Sequence, residues 1–146
     1  QVQIGADFDA PIPGFEEYMR ENLARHAHLL VFIAGDSRLD RYSRELIENP
    51  EHERYLSIGS IWEITIKSSL GRLNVPLPVS TLVREHVWAN AIELLAITPE
   101  HLDVLHTLPY HHKDPFDRII LAQALSEGMA LLARDNVFGD YDVRLI

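Results

Sequence analysis

The chain has 146 residues, 47% of them hydrophobic and 24% charged, and a net charge of −9. That suffices for one compact domain with its own core and is too short for two of ordinary size. The acidic total argues against a broad basic face gripping nucleic acid, and leaves room for a small site where cations screen carboxylates. No apolar run reaches the length of a membrane span. The lack of cysteine excludes disulfides, thiolate zinc sites and thiol nucleophiles, and accords with a reducing cytoplasm, the expected location.

Residues 1–19, QVQIGADFDAPIPGFEEYM, read as an extended arm. Val2 and Ile4 alternate with polar neighbours, and the prolines and glycine of FDAPIPG forbid a regular helix. A loose terminal tail is the alternative. Over residues 23–34 the chain turns apolar (LLVFIA) and stops at Gly35, which predicts a helix. Residues 37–48 predict a second helix, closed by Asn49-Pro50. Residues 55–58 predict a short buried strand, and Ser60 caps a helix that Gly71 ends. After the linker at 75–78 come a helix at 79–90, a strand at 92–97 and a helix at 99–107. The polar loop HHKD leads into a helix over 115–127, opened by Asp114-Pro115 and ended by Gly128. Residues 130–133 and 143–146 predict the last strands, with a turn starting at Asp135 between them. Strands alternating with helices predict an α/β fold, a parallel sheet with helices on both faces.

In such a sheet the site lies at the carboxyl ends of the strands. Glu63, in the first turn of a helix that follows a strand, is aimed there, and so are Asp114, Asp117 and Asp135. Each acid also has an ordinary reading. Glu63 pairs with Lys67 at i,i+4, Asp114 is an N-cap, Asp117 favours the positive end of a helix dipole, and Asp135 caps a turn. Their shared edge is what points to chemistry. Clustered carboxylates raise one another's pKa, and a hard divalent ion such as Mg²⁺ or Mn²⁺ would resolve the repulsion. The adjacent His111 and His112 beside the DPFDR helix read either as transition-metal ligands or as solvated loop residues. There is no HExxH, no P-loop, no GxGxxG and no nucleophile elbow.

The segments GDSRLD, SIWEITIKSSLGRL, LPYHHKDPFDRIILAQAL and ARDNVFGDYDVRLI, in this order and spacing, resemble the PIN-domain toxins of bacterial VapC-type toxin–antitoxin pairs over residues 32–146. The resemblance implies a three-layer PIN fold within residues 20–146 and an endoribonuclease activity that depends on Mg²⁺ or Mn²⁺. It implies an RNA substrate, a cognate antitoxin and a homodimer. It assigns Glu63, Asp117 and Asp135 as catalytic metal-binding acids, with Asp114 assisting. Lys67, Lys113 and Arg118, with Arg72 and Arg134, are the candidates for substrate phosphate; each also reads as a solvated surface charge.

One position departs from the family. Its toxins begin with a central strand ending in Asp-Thr-His. Counting back from Gly35, Arg25 occupies the Asp position, with His26 and Ala27 following, and the strand ENLAR at 21–25 is degenerate. Residues 1–19 instead resemble the C-terminal tail of the partner antitoxin. Permitted codons for RENLARHAHLLV, read one base later, encode a start followed by KILLDTHTFLW, so a change of reading frame near Val31 accounts for both departures. With Arg25 among the acids the expected nuclease is weak or inactive. The alternatives are a non-catalytic antitoxin–toxin fusion that binds a protein partner, and an active enzyme in which Asp36 or Glu21 supplies the missing ligand.

Overall fold

A computed structural model describes residues 28–31, 45, 48–132, 139–141 and 143 of the chain. Four strands form one all-parallel sheet: β1 (His28–Val31), β2 (Glu53–Ser57), β3 (Ile92–Leu95) and β4 (Ala130–Leu132), in the order β3-β2-β1-β4. The chain moves outward from β1 to β2 and β3, then returns to the other side of β1 for β4. The order therefore reverses at β1, the kind of point where open α/β sheets bind ligands.

The helices are α1 (Ile58–Ser69), α2 (Val79–Leu82), α3 (Pro99–Thr107) and α4 (Pro115–Glu127). The helical run of α2 continues as a π-turn, Val83–Val87, and a 3-10 turn, Trp88–Asn90. Strand register explains the layers. Leu30 lies level with Tyr55 and Leu131, and these join a core with Ile120 and Leu121 of α4 and Val104 and Leu105 of α3. Side chains alternate along a strand. Leu56, one residue on from Tyr55, therefore faces the other way, into a second cluster with Leu94 of β3, Ile61 of α1, and Val83 and Val87. Apolar packing on both faces makes the predicted three-layer α/β arrangement.

The central strand is not where the sequence pattern puts it. Residues 23–34 read as a helix preceded by a degenerate strand at 21–25, yet β1 is HLLV at His28–Val31, with Leu29, Leu30 and Val31 buried. A central parallel strand is covered on both faces and needs apolar residues throughout. ENLAR carries two charges and an amide, whereas LLV meets the requirement. Arg25, Glu21, Asp36, Arg134, Asp135 and the arm at 1–19 lie outside the described residues.

The β2–α1 junction also differs from expectation. Ser57, not Ser60, is the N-cap, and α1 starts directly at the strand end. Ser57 Oγ accepts from Gly59 N–H at 3.0 Å and donates to Gln123 Oε1 of α4 at 2.5 Å. Gln123 Nε2 donates to the carbonyls of Leu95 and Ala96, at 3.4 and 3.3 Å. One buried amide thus ties α4 to the carboxyl ends of β2 and β3. Gly59 permits the close approach, since a Cβ there would sit 3.2 Å from Ile119 Cγ2 and 3.1 Å from Ser57 Oγ.

α3 and α4 form as predicted. Thr98 and His101 make a reciprocal capping box on α3, and the buried His101 ring also meets Glu127 Oε1 at 2.7 Å. Asp114 Oδ1 accepts from Phe116 and Asp117 N–H at 2.9 and 3.1 Å, Pro115 takes the first turn of α4, and Gly128 closes it at φ 66°. Glu45 and Glu48 are helical, as expected for 37–48. Of the expected last strand, Val143 is buried but outside any strand, and 144–146 are not described. Replacing Gln123 by Leu keeps the volume and removes the acceptor for the Ser57 hydroxyl proton and the donor to the two carbonyls. It is expected to cost about 2 kcal/mol in urea unfolding; an unchanged midpoint would show that the amide clip is not structural.

Candidate functional site

α1 begins where β2 ends, and α4 runs back antiparallel to the strands before β4. Both helices therefore present their amino ends at the carboxyl edge of the sheet. They meet there through Gly59 against Ile119 and through an edge-to-face pair, Trp62 on Phe116, with centroids 5.1 Å apart. Glu63 and Asp117 are the residues that follow these two aromatics. Glu63 lies in the second turn of α1, not the first, because the cap is Ser57. Its ordinary reading as a surface pair is half right. Lys67 Nζ donates to Glu63 Oε1 at 2.7 Å, but the Glu63 side chain is only 12% exposed against 39% for the lysine.

Asp117 sits in the first turn of α4 with its side chain 14% exposed, and His112 Nε2 meets its Oδ2 at 2.5 Å. Burial pushes its pKa above the ordinary carboxylate value. The His112 hydrogen bond and charge pull it back, while the charges of Asp114 and Glu63 push it further up. Asp117 thus feels the charge of Asp114 on its own helix and of Glu63 across the α1–α4 contact. Asp114 is taken up as the N-cap of α4.

Of the cationic candidates, Lys67 is held on Glu63 and Lys113 is exposed, as is Arg72. Arg118 is no surface charge waiting for phosphate, contrary to the sequence reading. It is buried, with Nη1 donating to the carbonyls of Pro109 and His112 at 2.8 and 3.3 Å, and Nη2 to Leu108 at 3.2 Å. Its guanidinium also lies 3.9 Å from the Tyr110 ring centroid. Tyr141 completes the enclosure, its hydroxyl donating to Pro109 O and accepting from His112 N–H, both at 2.9 Å. The sequence alone leaves His112 open between ligand and solvated loop; the DPFDR helix start beside it is the clue that it belongs with Asp117.

The acids fit a hard divalent cation by donor type, and their mutual repulsion is what such an ion relieves. Among the described residues, no three His, Asp or Glu side chains stand close enough together to hold a metal ion. Asp135, the further acid the sequence points to, lies beyond β4 and outside the described residues.

The PIN domain family matches residues 27–144. The chain belongs to the PIN-domain family. PIN domains are metal-dependent nucleases, generally using Mg²⁺ or Mn²⁺, that bind RNA and often occur in toxin–antitoxin systems. The match leaves out residues 1–26, so the arm and Arg25 stand outside it. A comparison with curated proteins gave no match. Among the described residues of this PIN domain, no helix is long and apolar enough to cross a membrane.

The raised pKa of Asp117 has a consequence for stability. Between the ordinary value, 3.8, and the raised one, the folded chain binds more protons than the unfolded chain. Stability therefore falls as pH rises through that window. Asp117→Asn should unfold at a higher temperature than the parent at pH 7, the advantage disappearing below pH 3.8. A less stable Asn variant at pH 7 would contradict this.

Proposed function

We propose that this PIN domain is a toxin-type ribonuclease that cleaves RNA phosphodiester bonds with Mg²⁺ or Mn²⁺ held by Glu63, Asp117 and Asp135, and that it cleaves weakly. The observation that carries the reading is the meeting of the amino ends of α1 and α4 at the carboxyl edge of the sheet, where the largely covered side chains of Glu63 and Asp117 follow the paired rings of Trp62 and Phe116. A bound divalent ion supplies two things there: a more acidic water and charge stabilisation on a phosphoryl oxygen. This chain's own residues hold and orient the acids. Asp114 fixes the amino end of α4, Ser57 and Gln123 fix α1 against α4, and Lys67 steadies Glu63. Lys113, exposed beside Asp114, is the cation placed to meet a substrate phosphate in this reading.

Weakness follows from the first strand. In the resembling toxins the first strand ends in an acid; by the count back from Gly35 that position holds Arg25, which lies outside the described residues. A cognate antitoxin and a homodimer belong to the same proposal.

The missing acid also favours a second reading, a non-catalytic antitoxin–toxin fusion that binds an intact toxin or another protein partner. Incubation of the chain with single-stranded RNA and Mn²⁺ separates the two. The ribonuclease reading expects slow cleavage that EDTA stops and that Glu63→Ala and Asp117→Asn each reduce more than ~100-fold, beyond the range typical of outer-shell partners. Arg25→Asp should raise the rate. Cleavage indifferent to EDTA and to both variants would overturn the assignment, and no cleavage by the parent would favour the binding module.

A further inference from the structure

The loop from Leu108 to His112 carries more fixed hydrogen bonds than a solvated connector needs. The buried Arg118 guanidinium gathers three of its carbonyls, and Tyr141 bridges Pro109 O and His112 N–H. His111 packs edge-to-face on the Tyr141 ring, with centroids 5.0 Å apart. Two of these contacts, from Arg118 Nη1 to His112 O and from His112 N–H to the Tyr141 hydroxyl, hold the backbone of His112, whose Nε2 meets Asp117 Oδ2. Buried guanidinium groups are costly unless their donors are taken up. The cost is met here in a way that sets one imidazole against one carboxylate.

We propose that His112 is a positioning residue for Asp117: its ring N–H holds Oδ2 and leaves Oδ1 as the oxygen offered to a divalent cation, with Arg118 and Tyr141 holding His112 in place. Asp117 stands in a half-buried site beside Asp114 and Glu63, where an unheld carboxylate would turn away from its like-charged neighbours. A donor fixed to one oxygen prevents that rotation. This is the role outer-shell partners play for metal-binding side chains generally, where their loss weakens metal binding by roughly 10–100-fold. The proposal rests on the metal-dependent reading above and adds to it the residue that orients the acid.

Calorimetric titration of the full chain with Mn²⁺, without RNA, tests it, with thermal unfolding run on each variant. His112→Ala is expected to weaken Mn²⁺ binding by ~10–100-fold while remaining folded. His112→Gln, which keeps an N–H at nearly the same reach, is expected to restore most of the affinity. Tyr141→Phe, which loosens the loop without touching the imidazole, should fall between the parent and His112→Ala. Equal affinity in parent and His112→Ala overturns the proposal and leaves the ribonuclease reading standing. A His112→Gln variant as weak as His112→Ala also overturns it, since the ring would then be acting as a ligand itself. A parent that takes up no Mn²⁺ overturns both this proposal and the metal-dependent reading.

Discussion

The fold depends on the demand that the middle of a parallel sheet makes on its central strand. β1 is hydrogen-bonded to β2 on one side and to β4 on the other, with apolar layers above and below. A strand in that slot can carry no exposed face. HLLV meets the condition, and Leu29, Leu30 and Val31 are all buried. The identity of the strand then decides which residue comes next at the carboxyl edge, where the chemistry of such sheets is placed.

At the same edge, the other acids are held by a chain of specific contacts. Ser57 ends a strand, caps a helix and bonds to Gln123, three structural roles in one residue. Gly59 removes the side chain that would hold α1 away from α4. The result is an approach of two helix amino ends that sets Glu63 and Asp117 to acting on each other through space. Burial first, and then the charges of Asp114 and Glu63, raise the pKa of Asp117. Lys67 and His112 supply partial compensation.

Much of this arrangement is legible in the sequence, for identifiable reasons. α4 is bracketed by Asp114-Pro115 and Gly128, and α3 is opened by Thr98-Pro99, local signals that need no tertiary context. The alternation of strands and helices leads to the parallel sheet, and the acids at strand ends lead to the candidate edge. The illegible parts depend on long-range competition. Residues 23–34 read as a helix by composition, and only the demand at the sheet centre makes HLLV a strand. Ser57 and Ser60 are equally good caps locally; pairing with Gln123, far along the chain, decides for Ser57. Arg118 looks like a phosphate ligand because nothing in DPFDR reveals that the carbonyls of the preceding loop fold over it. His112 is half legible: its place beside the helix start is visible, but its contact with Asp117 depends on Tyr141 from the distant end of the chain.

The resulting picture is a PIN domain whose parallel sheet and helix approach bring Glu63 and Asp117 to one edge. A crystal soaked in Mn²⁺ and measured at the manganese absorption edge tests that picture most directly. The account predicts an anomalous peak at partial occupancy against Asp117 and Glu63, with His112 still bonded to Asp117. No peak at those acids under saturating Mn²⁺, with Glu63 still on Lys67 and Asp117 on His112 alone, would contradict it.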